Sequence, residues 1–122
     1  MGEDARLATV LVVDDDESLR LLCRVNLELD GYRVLEAGDV CEAEEVLRRE
    51  AVNLVLLDVH VGPESGIELM RTVREHGGAP PIVLVTGSAR LDAETKAEAD
   101  GVVTKPFRLE ELLGVVRRLA SS

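Results

Sequence analysis

Three short, almost unbroken apolar runs constrain this chain more than any other feature. They are Thr9-Val10-Leu11-Val12-Val13, Val52-Asn53-Leu54-Val55-Leu56-Leu57 and Ile82-Val83-Leu84-Val85. A strand with one solvated face alternates apolar and polar residues, and these runs do not. Runs of this kind suit strands covered on both faces, as in a parallel sheet with helices above and below. Tyr32-Arg33-Val34-Leu35-Glu36-Ala37 alternates more and reads as an outer strand, with Val102-Val103-Thr104 as a short fifth.

Helical patterns fill the intervals. Leu19, Leu22, Val25 and Leu29 recur at helical spacing before Gly31, a fitting stop. Val40, Ala43 and Leu47 mark a second helix with Asp39 as its N-cap. Ile67, Met70 and Val73 mark a third, closed by Gly77-Gly78. Leu109, Leu112, Leu113, Val116 and Ala120 form the clearest stripe, and Arg117-Arg118 suit the negative end of that helix's dipole. Between Ala89 and Asp100 only Leu91 is large and apolar, so the expected fourth helix is short, frayed or absent. Strands alternating with helices give a doubly wound α/β fold. A length of 122 residues is enough for one self-sufficient core, and the whole of 1–122 reads as a single domain with its core at about 8–120.

Charge narrows the partners. Asp plus Glu number 24 against 14 Lys plus Arg, a net charge of −10 that repels nucleic-acid duplexes and membrane headgroups. One Tyr, one Phe and no Trp leave little for base stacking, so neither direct nucleic-acid nor membrane binding is expected. No apolar run approaches the roughly 20 residues of a membrane span. The acidic start Met1-Gly2-Glu3-Asp4 is unlike a secretory signal, and the expected location is the cytoplasm. Cys23 and Cys41 both fall in helical patterns without CxxC spacing, and read as buried reduced thiols rather than a disulfide or metal pair.

In doubly wound sheets the functional crevice lies at the carboxyl ends of the strands. Here those ends carry Asp14-Asp15-Asp16, Asp58, Thr86 and Lys105. On adjacent strands, Asp14, Asp15 and Asp58 would crowd together and raise one another's pKa. A hard divalent ion relieves this, and Mg²⁺ often combines one or two carboxylates with a phosphate. The Lys105 ammonium and Thr86 hydroxyl, with backbone N–H groups after Asp58 and Thr86, suit phosphoryl oxygens. Asp58 then becomes a nucleophile toward phosphorus that, already charged, needs no general base. Asp16, just before a helix, reads most simply as an N-cap.

With these residues in place the chain resembles the response-regulator receiver domains of two-component signalling, CheY-like proteins, over nearly its whole length. The stretches Val10–Asp16, Leu54–Asp58 running on to Gly66, and Val103-Thr104-Lys105-Pro106-Phe107 carry the resemblance. It implies a flavodoxin-like, five-stranded parallel sheet of order 2-1-3-4-5 with helices on both faces. It also implies that Asp58 accepts phosphate from a sensor histidine kinase phosphohistidine or a phosphotransfer protein, without turnover of any external substrate. Asp15, Asp58 and the His60 backbone carbonyl would ligate Mg²⁺, with Asp14 helping through water. Thr86 and Lys105 would bind the phosphoryl oxygens, and the Lys105–Pro106 peptide would be cis. The implied output is a downstream protein or a fused output domain, in a monomer or a weak phosphorylation-dependent dimer.

Departures from the family pattern accompany the match. Val102 stands where the family usually has Tyr or Phe, whose ring rotates as the Thr86 position moves toward the phosphate. The Thr86–Lys105 stretch looks shorter than usual, and Gly62-Pro63 stands where proline more often comes first. We therefore expect phosphorylation to order or shift the Gly87–Asp100 segment. The His60 side chain is expected at the pocket mouth, where it affects water access, and His76 at a helix end as a dipole partner. Two other readings stay open: a receiver-like interaction module that is never phosphorylated, and a haloacid-dehalogenase-like phosphatase. The latter matches Asp14-Asp15-Asp16-Glu17-Ser18 to D-x-D-x-[ST], with Asp14 as nucleophile and Asp16 as acid/base.

Overall fold

The computed structural model describes residues 8–87 and 91–120. The apolar runs become β1 (Thr9–Val13), β3 (Leu54–Asp58) and β6 (Ile82–Thr86), each buried along its whole length. The alternating run becomes β2 (Arg33–Ala37), whose exposed Arg33 marks it as outer, and β7 (Gly101–Thr104) closes the other side. All pairings are parallel in the order β2-β1-β3-β6-β7, the expected 2-1-3-4-5 once a two-stranded hairpin is set aside. That hairpin, β4 (His60–Val61) and β5 (Glu64–Ser65), follows β3 directly and turns at Gly62, whose φ of 61° suits a glycine.

Successive side chains of a strand point to opposite faces, and the core divides accordingly. Leu11, Val13, Val55, Leu57, Ile82 and Leu84 pack under α2 (Val40–Arg49) and α3 (Gly66–Glu75), through Ala43, Val46, Leu69 and Met70. Val10, Val12, Leu54, Leu56, Val83 and Val85 pack under α1 (Glu17–Leu29) and α5 (Leu109–Leu119), through Cys23, Leu27, Leu112 and Val116. The fourth helix, α4 (Ala93–Glu98), is short as expected, and Thr95 is its one buried residue. Residues 88–90, part of the segment expected to respond to phosphorylation, lie outside the described residues.

The structure makes three corrections. The first helix forms, but its buried face is Cys23 and Leu27 with Leu19 beside them, while Leu22, Val25 and Leu29 are exposed. Cys41 is also exposed, not buried, because Ala43 and Val46 face the sheet in α2. Cys23 is buried as expected, and burial pushes its thiol up to about 11. Third, Val52 and Asn53 precede β3 and are not part of it. Asn53 Oδ1 instead accepts a hydrogen bond from Thr9 N–H at 2.8 Å, tying the start of β1 to the approach to β3. His76 caps α3, with Nδ1 2.8 Å from the Thr72 carbonyl, the helix-end position expected of it.

Candidate functional site

Strand register brings the acidic residues together. Val13 lies opposite Leu57, so the residues that follow, Asp14 and Asp58, leave neighbouring strands side by side. Asp58 pairs with Val85 and Thr86 with Thr104, which places Thr86 and Lys105 at the same rim. Asp14 and Asp58 are only 3% and 8% exposed, whereas Asp15 is open to solvent. One carboxylate oxygen from each of the three lies within 4.8 Å of the others. Thr86 is buried, and its carbonyl accepts from Lys105 N–H at 2.7 Å.

Lys105 Nζ bridges the pair, donating to Asp58 Oδ2 at 3.0 Å and Asp14 Oδ2 at 3.2 Å. Burial pulls the ammonium's pKa down, but the hydrogen bond to Asp58 and the charge of Asp14 outweigh it and hold Lys105 above its ordinary value. Burial pushes Asp14 above the usual carboxylate value, with the charge of Asp58 adding to it; the Asp16 N–H and Lys105 oppose the rise. The N–H of Asp16 donates to Asp14 Oδ1 at 2.9 Å. Asp16 itself caps α1, accepting from Ser18 and Leu19, and so takes the helix-capping role expected of it. The exposed His60 sits on the hairpin, where its backbone N–H donates to Asp58 Oδ1 at 3.1 Å. The Lys105–Pro106 peptide is cis.

The cluster has three carboxyl groups, and the Lys105 ammonium pairs with those of Asp14 and Asp58. The cluster's donors are all hard oxygens, a set that fits Mg²⁺ and does not suit a soft metal. Two contributors escaped the sequence reading. Arg20 Nη1 donates to the Asp14 carbonyl at 2.6 Å, and the one available signal was a basic residue one turn into a helix that follows three aspartates. Gly66, at the start of α3, packs against the Asp58 backbone.

The chain is similar to known proteins. The family model for the response regulator receiver domain matches residues 10–117. The response regulator MprA of Mycobacterium leprae is 37% identical over 113 residues, which is 90% of this chain and 50% of MprA. The transcriptional regulatory protein YvrH of Bacillus subtilis is 35% identical over 113 residues, covering 90% of this chain and 48% of its own. The chain thus spans about half the length of the curated relatives it matches. Among solved structures, the response regulator TrrA of Thermotoga maritima, in complex with Mg²⁺-BeF, superposes with a TM-score of 0.84 at 30% identity. That match covers 93% of this chain and 99% of TrrA.

Proposed function

The chain belongs to the response regulator receiver domain family of two-component systems, and we propose that it acts as a phosphorylation-controlled switch with Asp58 as phosphoacceptor. A carboxylate oxygen of Asp58 attacks phosphorus, the bond from phosphorus to the donor's histidine nitrogen breaks, and the leaving imidazole takes its proton from solvent. The products are a phosphoryl-aspartate and a neutral histidine on the kinase or phosphotransfer protein. The observation that carries this reading is the convergence of Asp14, Asp15, Asp58 and Lys105 at the carboxyl ends of β1, β3 and β7.

Each residue has a distinct task. Asp15, Asp58 and the His60 backbone carbonyl would hold Mg²⁺, with Asp14 acting through water. Bound there, the ion supplies positive charge to the phosphoryl oxygens. Lys105 already contacts Asp58, and its ammonium transfers to a phosphoryl oxygen without a large movement. Thr86, at the end of β6, offers its hydroxyl to a second oxygen. The His60 N–H to Asp58 hydrogen bond orients the carboxylate for attack.

The haloacid-dehalogenase-like reading is set aside, because the family match assigns the chain elsewhere. The output of the switch is a change in binding to a downstream protein or a fused output domain. It runs through the α4 region, since Val102 on β7 has no aromatic ring to rotate. The test is incubation with acetyl phosphate and Mg²⁺ followed by intact-mass measurement. The chain should gain one phosphoryl group, fail to gain it when a chelator has removed the metal beforehand, and fail to gain it as Asp58→Asn. No added mass under saturating conditions overturns the reading in favour of an unphosphorylated interaction module.

A further inference from the structure

Arg20 lies on the first turns of α1, and its side chain is only 16% exposed although it carries a full charge. A guanidinium is buried to this degree only when its donors are matched, and the matches here are specific. Nη1 donates to the Asp14 carbonyl at 2.6 Å, and Nε donates to Glu36 Oε1 at 3.0 Å. Glu36 on β2 is itself held from the other side by Arg24 Nη1 at 3.0 Å.

The Asp14 carbonyl belongs to the peptide plane joining Asp14 to Asp15. Fixing that plane holds ψ of Asp14 and constrains φ of Asp15, and so sets the direction of the Cα–Cβ bond from which the Asp15 carboxylate extends. Asp15 needs such help, because it is the solvent-exposed member of the acidic cluster and has no strand around it. Gly38 lies against the same guanidinium. A β-carbon at Gly38 would lie 3.2 Å from Arg20 Nη1, so the loop after β2 leaves room for the guanidinium by omitting a side chain.

We propose that Arg20 is a positioning residue for the metal site, holding the Asp14–Asp15 peptide so that Asp15 is aimed at the ion it would share with Asp58. The inference rests on the metal-dependent phosphoacceptor reading above. Arg20 bonds the Asp14 backbone and Glu36, and it acts as hydrogen-bonded partners behind metal ligands do, through the geometry of the ligand. A lysine keeps the charge but not the planar fork of donors, so it replaces the two contacts only in part.

Calorimetric titration of the intact chain with MgCl₂ tests this directly. Arg20→Gln should weaken Mg²⁺ binding by about tenfold, and Arg20→Lys should recover part of the loss. Gly38→Ala keeps the charge but crowds Nη1, and should weaken binding in the same direction by a smaller factor. A folded Arg20→Gln protein that binds Mg²⁺ within about twofold of the wild type overturns the proposal. If that variant does not fold, an Arg20→Lys protein that binds Mg²⁺ as tightly as the wild type overturns it instead. Acetyl phosphate separates the two readings: Arg20→Gln should still be phosphorylated at saturating Mg²⁺, whereas a wild-type chain that takes up no phosphate defeats the phosphoacceptor reading itself.

Discussion

Gly66 lies so close beneath Asp58 that a β-carbon added to it would overlap the Asp58 carbonyl oxygen. The same atom would stand 3.3 Å from Leu57 Cγ, and Gly66 N–H already donates to the Val59 carbonyl at 2.8 Å. Replacing a glycine by alanine in a helix ordinarily gains about 0.4–1 kcal/mol through the unfolded chain. Here overpacking wins, because the obstacle is backbone that cannot rotate away. Gly66→Ala should lose about 3 kcal/mol, measured as a lower urea midpoint with unchanged slope. It should also slow phosphoryl uptake, because relieving the overlap displaces Asp58.

Asp14 gives a pH dependence whose sign follows from its surroundings. Burial and the charge of Asp58 raise its pKa above the ordinary 3.8. A carboxylate raised in this way adds stability that is fully present below the unfolded value and is lost as pH rises through the folded one. Once Asp14 ionises, the Mg²⁺-free fold has lost that contribution. Asp14→Asn keeps the shape and the acceptor for Asp16 N–H. It should raise metal-free stability at neutral pH and give little gain near pH 3. Chemical denaturation with a chelator present, at the two pH values, checks both halves.

The fourth helix should respond to acid ahead of the sheet. Arg71 grips Glu98 through two hydrogen bonds of 2.9 and 2.7 Å, and Asp92 caps α4 by accepting from Thr95 N–H at 2.7 Å. The Arg71 hydrogen bond holds Glu98 below its ordinary 4.5, and the Thr95 N–H holds Asp92 below 3.8. Depressed carboxylates contribute above their unfolded values and lose that contribution as pH falls through the folded ones. Hydrogen exchange, corrected for intrinsic rates, should show residues 93–98 losing protection below about pH 4 while β1, β3 and β6 keep theirs. Glu98→Gln should produce the same local loosening at neutral pH. Equal protection of α4 in the wild type and this variant would mean that its few apolar contacts hold it unaided.

The sheet was legible because burial on both faces leaves an unambiguous signature: three of the five strands are apolar without alternation. The candidate site was legible for a related reason, since Asp14, Asp58 and Thr86 each interrupt an apolar run at its end, as Asp14 follows Val13 and Asp58 follows Leu57. Contacts across the fold were not legible. Nothing in the local pattern says that Arg20 reaches the Asp14 carbonyl, or that Gly66 returns under Asp58 after the hairpin. The face of α1 was misread because it carries more apolar residues than one face needs, and periodicity cannot choose between two stripes of similar quality.

That misreading supplies a sharp contrast between neighbours on one helix. Leu27 is fully buried against β1 and α5 residues, while Leu29, two positions on, is 82% exposed. Leu27→Ala removes atoms from a packed interior and leaves a cavity, so it should cost about 2–5 kcal/mol. Leu29→Gln exchanges one solvated side chain for another of good helix propensity and should stay within about 0.5 kcal/mol of the wild type. Urea denaturation of the two variants measures the difference. If instead Leu29→Gln proved the more damaging, α1 would have to be rotated about its axis relative to the sheet. Arg20, about two turns before Leu27 on the same helix, would then turn away from the Asp14 carbonyl. Stability at a residue remote from the acidic cluster thus reports on whether the helix is set to hold that cluster's backbone.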